Sequence, residues 1–324
     1  MVGGVLLGFL IIPLSLSSLF EEDIHLIKGV NMCIKVKFTF SCDDESVNKT
    51  NLELCQLKQL LKDYKMKEQW VGDDIYEINQ NTELYQKVTN FVKTNLDETI
   101  EFIIFSFKVA MDKEEWNDAT AFKICFPKHY CQEYDDNDNE YNECSICYSK
   151  EKTDELFYAQ PKGYIKKHQD DLGIAILDGT AELVMLPRLV EKLKEAGVDQ
   201  KYFQPIISKR KKILGYIFVT DNILPVESYI DENSKFENQC PSCQRINMTE
   251  NKEELYYKQK QLSKEGIKAL KDVNKTYEFY DRYREIIVSK KVAQVIKENV
   301  PDVEFYPVFK RKNARISRTC RYKR

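Results

Sequence analysis

The sequence predicts an α+β protein of mixed sheets with packed helices, its C-terminal part a duplicated strand-helix-strand domain. Three observations carry this. Short apolar segments alternate with period two. Other segments place apolar residues at helical spacing. Two stretches of the second half repeat one another. At about 100–200 residues per domain, 324 residues make two domains. Nineteen Tyr and 17 Phe supply packed cores, while 11 Gly and 9 Pro exclude collagen-like and low-complexity chains.

Ile34 to Phe40 alternates apolar and polar and reads as a first strand. Leu52 to Met66 carries Leu52, Leu54, Leu57, Leu60 and Leu61 on one helical face, and Glu83 to Thr94 is a second helix. Ile100 to Phe107 is a buried strand, and Thr120 to Phe126 another. Glu133 to Glu143 has no aliphatic residue and reads as a solvated loop and a domain boundary. It is no EF-hand: counted from Asp136, Tyr141 stands where glycine is needed and Cys147 where glutamate is needed.

Beyond it, Glu182 to Pro205 and Glu285 to Pro307 match with one inserted residue. Each has a short apolar strand, a helix, and a strand with paired aromatics and proline, Tyr202-Phe203 with Pro205 and Phe305-Tyr306-Pro307. Between them, Ile213 to Thr220 reads as a strand, and Gln261 to Tyr277 as a helix with Ser263 as its N-cap. The expected organisation is a leader, 1–31; an N-terminal α+β domain, 32–140, with a small mixed sheet and two helices; a duplicated domain, 141–309; and a basic tail, 310–324.

Charge divides the chain. The tail holds eight basic residues and no acidic one; without it and the leader, 40 basic residues face 49 acidic ones, a net charge of −9 over 32–309. Such a body suits a basic partner, and the tail suits nucleic acid or another anionic surface. Met1 to Phe20 is uncharged and about as long as a membrane span. It lacks the basic n-region of a signal peptide. Lys28 to Met32 back-translates to a ribosome-binding site and a start codon, so a start at Met32 is the favoured reading, giving a cytoplasmic protein with no membrane contact. Membrane anchoring or secretion through residues 1–20 is the alternative.

Of ten cysteines, four form two C-x-x-C pairs, Cys144/Cys147 and Cys240/Cys243. This spacing makes a tight turn that aims both thiolates at one tetrahedral metal, and structural zinc takes four such ligands. A Zn²⁺ site of Cys144, Cys147, Cys240 and Cys243 would staple the repeat halves together. A local site using Cys125, His129 and Cys131 with the first pair is a second reading, and an unmetallated protein a third. No nucleophile elbow, P-loop or dinucleotide fingerprint occurs, and the three histidines, His25, His129 and His168, show no catalytic pattern, so no catalytic residue is assigned.

Two separated C-x-x-C pairs with a terminal strand-helix-strand ending in Phe305-Tyr306-Pro307-Val308 resemble the double-CXXCG family of bacterial proteins, which neighbour polymorphic toxins and include immunity proteins. Residues 182–229 are also similar to related toxin-immunity domains. The resemblance spans roughly 144–309, and Tyr148 and Gln244 stand where the family has glycine. It implies a non-enzymatic, zinc-containing protein that neutralises a cognate toxin by direct binding. The alternative is a nucleic-acid-associated zinc protein or enzyme using the tail.

Overall fold

The computed structural model describes residues 33–42, 49–70, 72–95, 100–125, 130–131, 141–152, 157–158, 163–168, 170–177, 182–231, 234–250, 260–280 and 282–311. The leader, the tail past Arg311, and the acidic stretch as far as residue 140 lie outside them. Both helices and sheets are present, giving an α+β fold. Described residues up to Asp112 form one compact unit, and those from Lys113 onward form a second.

In the first unit, strand Cys33–Cys42 lies between Asp73–Asn79 and Ile100–Ala110, with Lys65–Trp70 outermost. All pairings are antiparallel, not mixed as expected, because each strand turns back on a sequence neighbour or on the first strand. Val36, Phe38 and Phe40 project from one face, as the alternation requires. They pack with Leu54, Leu57 and Leu61 of the first helical segment and Tyr85, Val88 and Val92 of helix Glu83–Asn95. Fully burying each such side chain is worth about 1.5–3 kcal/mol. The first helix, Lys49–Leu60, ends earlier than expected. A 3-10 turn at Lys62–Tyr64 leads into strand Lys65–Trp70, whose ladder with Asp73–Asn79 outweighs continued helical pairing. Gly72, at φ +94°, makes the turn between these strands, where a side chain would strain the backbone.

The second unit holds two large sheets of one design. The six-stranded sheet runs Tyr130–Cys131, Ile174–Leu177, Leu183–Met185, Ile213–Phe218, Phe203–Ile207, Phe157–Tyr158. Six strands of the eight-stranded sheet occupy the same places: Asn247–Glu250, Val273–Tyr280, Tyr283–Ser289, Ala121–Ile124, Phe305–Lys310, Lys260–Leu262. In both, the outer pairs are parallel and the inner pairs antiparallel. Register matches too. Tyr216 lies opposite Met185 and Pro205, and Phe122 opposite Val288 and Pro307. Val219 N–H donates to the Tyr202 carbonyl at 2.9 Å, and Cys125 N–H to that of Glu304 at 3.0 Å. Met185 with Val288, Tyr202 with Glu304 and Pro205 with Pro307 are pairs of the repeat alignment, while Tyr216 with Phe122 and Val219 with Cys125 lie outside it.

The central strands are exchanged. Each half opens with one strand, continues through a C-x-x-C pair, and ends in strand-helix-strand. The opening strand of the first half, Ala121–Ile124, sits in the sheet of the second; that of the second, Ile213–Phe218, sits in the sheet of the first. Helices Pro187–Glu195 and Lys290–Asn299 bury matching residues, Leu189, Val190 and Leu193 against Val292, Ala293 and Ile296. Where the six-stranded sheet has buried Ile217, the eight-stranded sheet has Lys123, paired with Glu285.

Two expectations are corrected. The unit boundary falls near residue 112, ahead of 140, because Ala121–Ile124 is a central strand of the second unit. Gln261 to Tyr277 is not one helix: strand Lys260–Leu262, helix Lys264–Ala269 and strand Val273–Tyr280 share it. Ser263 does cap that helix, accepting from Gly266 N–H at 3.1 Å. Gly266 is also needed for space, since a β-carbon there would lie 2.6 Å from the Ser228 carbonyl oxygen.

Candidate metal centre

Each C-x-x-C pair closes a turn of the same form. Tyr148 N–H donates to the Cys144 carbonyl at 2.8 Å and Gln244 N–H to that of Cys240 at 2.9 Å. Cys144 N–H and Cys240 N–H donate to the carbonyls of Ser149 and Arg245 at 3.1 and 3.0 Å. This geometry puts the residue after each pair in the left-handed region, Tyr148 at φ +56° and Gln244 at +60°. An L-residue in this region costs roughly 1–2 kcal/mol.

The two turns meet. Cys144 Sγ lies 3.6 Å from Cys240 Sγ, and Cys147 Sγ lies 3.6 Å from Cys243 Sγ. All four sulfurs fall within 4.8 Å of one another. Disulfides would need about 2.05 Å. A tetrahedral ion bonded to sulfur at about 2.3 Å sets sulfur–sulfur edges of about 3.8 Å, and the cluster matches that size. Equivalent cysteines face each other, so the cluster joins the two halves at matching points.

Electrostatics fit a cation. Burial raises the Cys147 thiol, but the Ser149 hydroxyl and N–H and the Asn247 side chain outweigh it and bring it down to about 6. The N–H groups of Cys147 and Ile146 lower Cys144. Burial pushes Cys243 up to about 11, with the three neighbouring sulfurs acting the same way against the Arg245 N–H. Four sulfurs this close hold four negative charges only with a cation among them.

A charged brace surrounds the cluster. Arg245 donates through Nη1 to the Ser149 carbonyl at 2.8 Å and through Nη2 to Glu151 Oε2 at 2.8 Å. Arg284 Nε donates to Glu151 Oε1 at 3.0 Å, and its guanidinium lies 4.3 Å from the Phe279 ring centroid. Burial raises the Glu151 carboxyl, but Arg284 and Arg245 outweigh it and hold it below the usual value. Beside the cluster lies a polar cavity of about 590 Å³, lined among others by Glu143, Glu151, Ser242, Arg245, Tyr277 and Arg284. The brace was not foreseen in the sequence. Its only local sign is an arginine two residues after Cys243, and its partner Glu151 lies in the other half of the duplication.

The remaining sequence candidates fare differently. His25 and His129 lie outside the described residues, as does the side chain of Cys131. Burial pushes the Cys125 thiol up to about 12, opposite to what an activated nucleophile needs. His168 Nδ1 lies 2.8 Å from Asp171 Oδ2 and its ring stacks on Tyr164, a local contact at a helix end. Among the described residues, no helix is long and apolar enough to cross a membrane. The chain matches no family model, no curated protein and no solved structure.

Proposed function

We propose that this chain is a non-enzymatic binding protein whose duplicated unit is stapled by a structural zinc ion, and that its partner is a basic protein, a bacterial toxin by the resemblance to the double-CXXCG family. The observation that carries this reading is the closed set of four cysteines. The sulfurs of Cys144, Cys147, Cys240 and Cys243 lie within 4.8 Å of one another, enough to supply all four ligands of a structural site, whereas catalytic zinc keeps one position open. Bound there, zinc supplies folding energy by joining the halves. The acidic body supports a basic partner, since opposite charge speeds encounter and fixes register. A cytoplasmic location follows if translation starts at Met32.

The test has two arms. Metal analysis of protein made in zinc-replete, reducing medium should find about one zinc per chain, lost in Cys240→Ser. Co-expression with a toxin encoded beside this gene should restore growth, and the two should co-purify at fixed stoichiometry. Metal-free protein would refute the staple. Protection far below stoichiometry would refute binding and point to an enzyme.

A further inference from the structure

The duplication exposes a feature that the fold does not explain. Each half ends its last strand with a basic run at the same position. In the first half, strand Phe203–Ile207 is followed by Ser208-Lys209-Arg210-Lys211-Lys212; in the second, strand Phe305–Lys310 runs into Arg311-Lys312. Because Pro205 and Pro307 occupy matching register positions, Lys209 aligns with Arg311. Elsewhere the halves have diverged in charge at matching positions: Phe157 stands opposite Ile206, whereas Lys260 stands opposite Val308, and Ile217 matches Lys123.

The first run is presented on a fixed turn. Lys211 N–H donates to the Ser208 carbonyl, and Ser208 N–H to the Lys212 carbonyl, both at 2.8 Å. The Ser208 hydroxyl accepts from Lys212 N–H at 3.1 Å. Lys209, Arg210, Lys211 and Lys212 are all exposed. The second run is tied at the same point of its sheet, with Arg311 N–H donating to the Leu262 carbonyl at 2.9 Å and Lys310 exposed. Short helices follow the neighbouring strands. Gly163–His168 carries exposed Lys166 and Lys167 and no acid, and Lys264–Ala269 carries Lys264 and Lys268 against one acid, Glu265.

We propose that these two equivalent sheet ends, Lys209–Lys212 and Lys310–Arg311, bind the phosphate backbone of a nucleic acid. This does not depend on the toxin-binding reading. A polymer with a charge about every 1.7 Å along its axis can engage two separated basic patches at once. An anionic membrane is the poorer fit, since surface binding to lipid adds apolar insertion and Ile213 is the one large exposed apolar residue of these runs. Contacts limited to phosphate give affinity without sequence preference.

The test uses full-length, metal-loaded protein and fluorescence anisotropy with labelled 30-nucleotide single-stranded RNA and a 30-base-pair DNA duplex across a salt series. At least one probe should bind at low salt, with affinity falling linearly in log–log form. The triple reversal K209E/R210E/K211E should weaken binding at least tenfold. It should also flatten the salt slope by roughly 2–3, at about 0.7–0.9 per phosphate contact. K310E/R311E should act in the same direction. Both variants should keep wild-type metal content and thermal unfolding, which separates lost contact from lost fold. Reversal of Lys87, on the helix of the first unit, should change nothing. The proposal is overturned by failure of both probes to bind at 50 mM salt, by binding that survives both reversals and disappears only on removing 312–324, or by binding to phosphatidylserine vesicles alone.

Discussion

Arg245, two residues past the second cysteine pair, donates to the backbone carbonyl of Ser149, two residues past the first, at 2.8 Å. The Ser149 oxygen already accepts from Cys144 N–H, so one carbonyl carries both the internal bond of its own turn and the bond to the other half. The second guanidinium nitrogen fixes Glu151, which Arg284 holds from the far side.

Arg245→Ala should therefore loosen the metal without touching a ligand. Outer-shell partners of metal ligands typically govern affinity by about 10–100-fold, and a chromogenic chelator competition should read a loss in that range. Arg245→Lys should not restore it, because a point ammonium cannot serve Ser149 and Glu151 together. Wild-type chelator resistance in Arg245→Ala would show the brace to be idle.

The brace should also titrate. Glu151 has a folded-state pKa below its usual 4.5. Its contribution is complete above the unfolded value and is lost as pH falls through the folded one. Urea midpoints measured between pH 6 and pH 3 should fall less steeply in Glu151→Gln than in the wild type over the acid end of that range.

Lys123 and Glu285 form a pair in the eight-stranded sheet, and the six-stranded sheet has Ile217 at the position of Lys123. Lys123→Ile should destabilise by about 3 kcal/mol because it removes the hydrogen-bonded cation from Glu285 and leaves only Lys260 to offset the carboxylate. Adding Glu285→Leu should recover most of that loss. Equal instability of the single and double variants in chemical denaturation would mean that the charges are not coupled.

Gln244→Gly relieves a left-handed residue in the second turn. It should stabilise the protein by about 0.5–1 kcal/mol, the relief of backbone strain exceeding glycine's entropy cost in the unfolded chain. Differential scanning calorimetry with metal bound would register a higher midpoint.

A protease site inserted between Lys209 and Lys212 offers a test of the exchanged strands. After cleavage the two pieces should remain together through size-exclusion chromatography, since each sheet's central strand belongs to the other piece. Separation without denaturant would contradict that.

Local chemistry made much of this visible in the sequence. The spacing of Leu54, Leu57 and Leu61 and the alternation of Val36, Phe38 and Phe40 report burial directly, because side-chain periodicity is a property of the strand or helix itself. The repeat was legible for the same reason, and the four-cysteine cluster because a C-x-x-C turn is local. The strand Val273–Tyr280 was hidden inside a helical reading. Its pattern, with Val273, Asn274, Thr276, Glu278 and Phe279 all buried, follows neither strict period. Asn274 is buried because its side-chain N–H groups donate to the Ile287 and Lys271 carbonyls, a tertiary demand that overrides local preference. Strand exchange left no local trace, since Ala121–Ile124 would read identically in either sheet.

The exchange sets a timetable for synthesis. Ala121 takes its place between Ser289 and Val308. Those neighbours leave the ribosome about 170 or more residues later, a wait on the order of 10–30 s at roughly 5–20 residues per second. Meanwhile the first half lacks Ile213–Phe218 and carries Ala121–Ile124 with no sheet to enter. The nascent chain therefore exposes an open first sheet until Ile213–Phe218 emerges and an unplaced Ala121–Ile124 until Val308 does, and chaperone demand falls on the chain during that wait rather than on the folded unit.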